Sequence, residues 1–140
     1  MPTITKAWKV VSRTNKKLFS AAFALKAAFT LKDDIKAGLC LRYIRGTWTK
    51  PRIKGSRIFV FSDPVSARRW AGTHKKYAVW ECMAEDAVPV DGCSVSDPVG
   101  FWQCFNGETP MRVFRMTPPG TLGATAVMIT RRCKCPARIP

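Results

Sequence analysis

Acidic residues and histidine are scarce in this chain. Nine Asp and Glu stand against 24 Lys and Arg in 140 residues, and His74 is the one histidine. It lies among Gly72, Thr73, Lys75 and Lys76, a setting that offers no partner for a nucleophilic or acid–base triad. The chain has no Gly-x-Ser-x-Gly, no glycine-rich phosphate loop and no His-Glu-x-x-His, so it lacks the common hydrolase, nucleotide and zinc-protease patterns. It has no run of 18 apolar residues, so no membrane partner is expected. It also has no Cys-x-x-Cys. Cys133 and Cys135 are one residue apart, and Cys93 and Cys104 are the other ligand candidates, but that spacing matches no known zinc pattern. Neither metal nor cofactor is expected, and the spacing leaves open whether these four bind metal or form disulfides. Cys40 and Cys82 lie in apolar runs and read as small buried hydrophobes.

The chain does have positive charge, placed unevenly. Residues 1–76 hold 18 basic and 3 acidic residues, equal to the whole net charge of +15. Residues 77–132 hold 4 basic and 6 acidic residues, and residues 133–140 add Lys134 and Arg138. This asymmetry predicts a polyanion partner, either nucleic acid or an acidic protein surface. The alternative is a solvated face that only aids solubility. Lys16 and Lys17 before LFSAAFALKAAF mimic a signal peptide, but the run starts late and Lys26 interrupts it, so it reads as part of the fold. Reduced thiols and a cytoplasmic location are the expectation.

The length suits one domain. Residues 7–11 (AWKVV) read as a strand and SRTNKK as turn material. Between residues 19 and 31 every odd position is apolar, the period of a strand, although the alanines favour helix. A hairpin over residues 7–25 follows. Residues 39–44 and 57–61 predict strands on either side of an exposed basic loop at 46–55. Ser62-Asp63-Pro64 announces a helix over about 63–72, ended by Gly72. Further strands are predicted at 77–84, 111–116 and 124–130, with loop at 88–106, a turn at 118–120 and a basic tail at 131–140. These elements make a single α+β domain over 1–130, with a mainly antiparallel sheet of six or seven strands and one helix.

The strongest candidate site is the basic, aromatic stretch of Arg42, Tyr43, Arg45, Trp48, Lys50, Arg52, Lys54 and Arg57. The cations suit phosphates, and Tyr43 or Trp48 suits stacking on a base or sugar. Arg68 and Arg69, with Lys75 and Lys76, extend the positive surface if the helix turns both arginines outward. Glu81 is predicted on the strand face of Tyr77 and Val79, opposite Trp80 and Cys82. There it is either a perturbed acid or, the preferred reading, an edge-strand residue.

Several spaced features occur together: WKVV and SAA; Tyr43, Gly46, Trp48, Thr49 and Pro51; Gly55 and the FVF strand; Ala67 and Ala71; WEC at 80–82; and Gly120-Thr121 before Val127 and Ile129. In this spacing, over residues 8–130, the chain resembles a group of small, functionally uncharacterised proteins encoded in bacteriophage and prophage genomes. The resemblance implies a viral accessory role and brings no activity with it. YIRGTW at 43–48 and FSDPVSARRWA at 61–71 are also similar to ADP-ribosyltransferase-like domains. That resemblance implies Arg45 at a bound NAD, Ser62 on a neighbouring strand and a later catalytic glutamate. The Glu-x-Glu or Gln-x-Glu pair of such domains is missing, and Glu108 is its sole candidate. The expected function is therefore non-enzymatic binding of nucleic acid, or of a nucleic-acid-handling host complex, by a viral accessory protein. An NAD-dependent ADP-ribosyltransferase and a virion component touching the genome are the alternatives.

Overall fold

A computed structural model describes residues 2–14, 16–20, 41–52, 55–72, 75–90 and 120–133. Within them the predicted α+β architecture holds: antiparallel strands dominate and one helix packs against them. The strands are β1 (Ile4–Thr14), β2 (Lys17–Ser20), β3 (Arg42–Tyr43), β4 (Ile58–Phe61), β5 (Tyr77–Glu85), β6 (Val88–Pro89), β7 (Thr121–Ala124) and β8 (Ala126–Arg132), with helix α1 at Pro64–Ala71. No described helix is long and apolar enough to cross a membrane.

Strand β1 organises the sheet. β5 pairs along one edge, from Ile4 opposite Glu85 to Ser12 opposite Tyr77. The other edge is shared, with β2 pairing from Val11 to Thr14 and β4 joining at Trp8 opposite Phe61. β8 lies on the far side of β5, β7 on the far side of β4, and β3 beyond β2. β7 and β8 are separated only by Thr125, so the pairings β1–β5, β5–β8, β7–β4 and β4–β1 close the sheet on itself. The partner of that bent strand bends too. Asp86, at φ 47, turns β5 into β6, and the ladder resumes at Val88 opposite Gly123.

The period-two alternation sends Ala7, Lys9 and Val11 of β1, and Ala78, Cys82 and Ala84 of β5, to the inside, where they meet Val60, Ala124, Val127 and Ile129. The many alanines match the narrow space inside a closed sheet. The opposite face of β1 and β5 is also covered. Val10, Val79 and Phe61 pack under Ala67 and Ala71 of α1, and Trp70 stacks on Tyr77 at 5.5 Å between ring centroids. Burial on both faces explains why VV and YAV read as continuous apolar runs.

Helix α1 begins where its caps dictate. Asp63 is extended at φ −148, and its Oδ1 accepts the Ser66 amide at 2.7 Å. Pro64 occupies the first turn, where its missing N–H costs nothing, and Gly72 ends the helix at φ 61. Gly120, at φ 83, passes so close that a Cβ there would lie 3.0 Å from Ser66 Oγ.

Several boundaries differ from the sequence reading. The described residues alone hold eight strands, because β6 lies in a stretch read as loop and β7 in one where Gly123 weakens the strand signal. Gly123 is required there, since a Cβ would meet Val90 Cγ2 at 2.9 Å. The hairpin forms with Thr14 opposite Lys17, while its predicted extension to residue 25 lies outside the described residues, as does the strand at 111–116. The tail does not begin at 131. β8 runs to Arg132 and Cys133 is buried, because β5 continues past β8 and supplies further partners: the Cys133 amide donates to Val79 O at 2.8 Å. Cys133 is also disulfide-bonded, so the expectation of reduced thiols does not hold at that residue.

Two substitutions separate packing from polarity. Ile129→Ala should lower unfolding stability by about 2–5 kcal/mol, because the closed interior leaves little room to collapse around the cavity. Ser12 is fully buried, and its hydroxyl finds no hydrogen-bond partner among the described residues. Ser12→Ala should therefore leave stability unchanged or raise it by up to about 1 kcal/mol. Urea midpoints check both, and a large loss in Ser12→Ala contradicts this account.

Candidate nucleic-acid interface

The predicted site residues do not share one face. Arg42 is exposed opposite Phe19. Tyr43, expected at the surface as a stacking residue, is 3% exposed inside the closed sheet. Its ring lies beneath the Lys9 ammonium, 5.5 Å from the centroid, so it cannot meet a base. Lys9 is itself buried, and its Nζ donates to Phe59 O at 2.8 Å. The carbonyl and the ring face offset the desolvation of that charge. Arg57 is half-buried, and its guanidinium donates to Asp86 O at 2.9 Å and more weakly to Gly123 O, clasping the bend between β5 and β6. Its place is in the scaffold. Lys54 lies outside the described residues. On α1, Arg69 is exposed and Arg68 half-buried, so only one arginine fully clears the packed stripe.

The remaining residues follow one segment. Ile44 to Thr47 make a turn closed by the Thr47 amide on Ile44 O, with Gly46 at the φ of 78 that such a turn requires. The chain then runs beside β8: Gly46 donates to Ile129 O, Thr49 exchanges two hydrogen bonds with Val127, and Arg45 Nε donates to Thr130 O at 2.6 Å. Trp48 is 40% exposed, and Arg45, Lys50 and Arg52 are exposed around it. The loop expected at 46–55 is thus tied to the sheet. It leads away from Arg42 and Arg45, carrying Lys50 and Arg52 past the Val127 bridge.

A larger cationic surface gathers at one end of the sheet. Lys75 and Lys76 enter β5 there, and the Arg13 amide donates to Lys76 O at 2.8 Å. Arg13 precedes the hairpin turn that carries Lys16 and Lys17. Leu18 pairs with Tyr43, which brings Lys17 beside the turn holding Ile44 and Arg45. Arg45 in turn reaches Thr130, two residues before Arg132. Arg13, Lys16, Lys17, Arg42, Arg45, Lys75, Lys76 and Arg132 are all exposed. Arg13, Lys16, Lys17 and Arg132 were not singled out from the sequence. Their signal was there in principle, because a hairpin turn and the entry to the next antiparallel strand lie at the same end of a sheet.

The carboxylates among the described residues are all engaged elsewhere. Glu85 Oε1 accepts Thr125 Oγ1 at 2.8 Å, Asp86 Oδ1 accepts the Thr3 amide at 2.9 Å, and Asp63 caps α1. Glu81 takes the predicted strand face, but not at an edge, since β5 is flanked by β1 and β8. Lys6 Nζ lies 3.0 Å from it, Arg131 pairs with it from β8, and these two cations hold its carboxyl down at about 2. No three His, Cys, Asp or Glu side chains among the described residues come together as a metal site would need. Among the described residues no contact joins Arg45 to Ser62: Arg45 Nε donates to Thr130 O and the Ser62 amide donates to Gly120 O. The chain matches no protein-family model, no curated protein and no solved structure.

The Glu81 cluster has a pH signature. Its folded carboxyl titrates below the ordinary 4.5, so its stabilisation is complete above that value and is lost as pH falls toward 2. Glu81→Gln should therefore make the acid-side fall in melting temperature shallower. Some fall should persist, since the Ser66 amide also lowers the Asp63 carboxyl. Parallel melting curves for the two proteins between pH 5 and 2 would show that the cluster does not act this way.

Proposed function

We propose that the protein binds nucleic acid through the cationic end of its sheet, acting by binding and not by catalysis. The observation that carries this reading is the convergence of three turns and the end of β8, all bearing exposed cations, while the described carboxylates are engaged elsewhere. Such a surface contacts phosphates irrespective of sequence, and its affinity comes largely from displaced counterions. The phage and prophage resemblance supplies the setting, an accessory role on nucleic acid or on a host complex that handles it. A virion component whose basic end meets packaged genome is the second reading. It is favoured by the Cys133 disulfide, a bond typical of oxidising surroundings and particle surfaces and not of cytosol.

Two measurements test these readings. With four to six phosphates contacted, affinity for nucleic acid should fall about 10²- to 10³-fold between 50 and 200 mM salt. Reversing Lys16, Lys17, Lys75 and Lys76 to Glu should abolish binding without unfolding the sheet, because all four are exposed. Absence of binding at low salt, or binding without a salt slope, rejects the proposal. Recovery of the chain in purified particles selects the virion reading.

A further inference from the structure

We infer that the nucleic acid bound is single-stranded, and that Trp48 is the platform on which one of its bases stacks. This rests on the proposed nucleic-acid binding and specifies its ligand. Few large apolar side chains are exposed among the described residues. Two of them, Ile44 at 51% and Trp48 at 40%, open and directly follow the one turn that also carries Arg45. Lys50 lies two residues after Trp48, Arg42 lies on the strand that leads into the turn, and Lys17 lies across the ladder beside Ile44. The turn is held firmly, closed on itself at Thr47 and bound to β8 at Gly46, Thr49 and Arg45. An exposed indole on a fixed backbone, with exposed cations before and after it along the chain, matches a base face and the phosphates that flank it.

Duplex fits this surface poorly. Its bases are stacked inside, so an exposed indole gains nothing from them unless a base is unstacked at further cost. The described elements at this end are turns and strand ends, with no exposed helix to enter a major groove, and α1 is packed against β1 and β5. Extended single strand brings bases and phosphates to the surface together. The stacking role that the sequence offered to Tyr43 or Trp48 falls to Trp48, because Tyr43 is buried beneath Lys9.

The test uses the full chain with labelled oligo-dT, oligo-U and a mixed-sequence duplex of equal length, followed by anisotropy at low salt. Both single strands should bind at least about tenfold tighter than duplex. Trp48→Ala should lose about ten- to a hundredfold of single-strand affinity with duplex binding unchanged, and Trp48→Phe should keep most of it. Tryptophan fluorescence should be quenched by oligo-dT in the parent and much less in Trp48→Phe. Equal affinity for strand and duplex, or full single-strand affinity in Trp48→Ala, overturns the inference while leaving nucleic-acid binding standing. Absence of binding to all three overturns both. If Trp48→Ala does not fold, the parent's strand-to-duplex ratio and the quenching in Trp48→Phe decide.

Discussion

The middle of strand β1, residues 7–12, has strand partners on both edges and is covered on both faces, and the rest of the structure depends on it. β5 takes one edge, β2 and β4 divide the other, and its two faces supply the closed interior and the seat of α1. Lys6 and Arg13 reach solvent from its ends, but the enclosed middle can hold a charge only if that charge is satisfied inside. Lys9 meets the condition through Phe59 O and the Tyr43 ring. Tyr43 is thereby committed to the interior, and the turn that follows it is left to present Ile44, Arg45 and Trp48 to solvent.

Electrostatics follow from the same topology. Opposite charges settle into the ladder where strands run side by side, as at Lys6, Glu81 and Arg131. Like charges collect where turns and strand ends meet, since lysine and arginine are easily hydrated there. The two populations adjoin at the end of β8, where Arg131 joins the Glu81 cluster and Arg132 stands exposed. The positive end is therefore a product of strand pairing as much as of composition, and its cations come from four segments distant in sequence.

Much of the fold was legible. The apolar runs of β1 and β5, the Asp63-Pro64 start and Gly72 stop of α1, and the side on which Glu81 projects are local signals with local causes. β7 was not legible, because Gly123 weakens a strand on its own and its purpose appears only when Val90 and Arg57 press against it. Nor was the extension of β8 through Arg131 and Arg132, whose basic, tail-like composition conceals partners on β5. Of the candidate site, Arg42, Arg45, Trp48, Lys50 and Arg52 are exposed, whereas Tyr43 and Arg57 serve the scaffold. No periodicity marks an aromatic or an arginine that turns inward to meet a distant carbonyl.

The sequence by itself determined the fold class, helix α1 and its caps, and the location of the excess charge in the first 76 residues. These depend on side-chain period, on backbone preference near Pro and Gly, and on counting. Only the tertiary structure decided which cations stand together, which aromatic faces solvent and which carboxylates are engaged. Those outcomes depend on strand register, which joins Arg13 to Lys76 and Arg45 to Thr130 across 63 and 85 residues of chain.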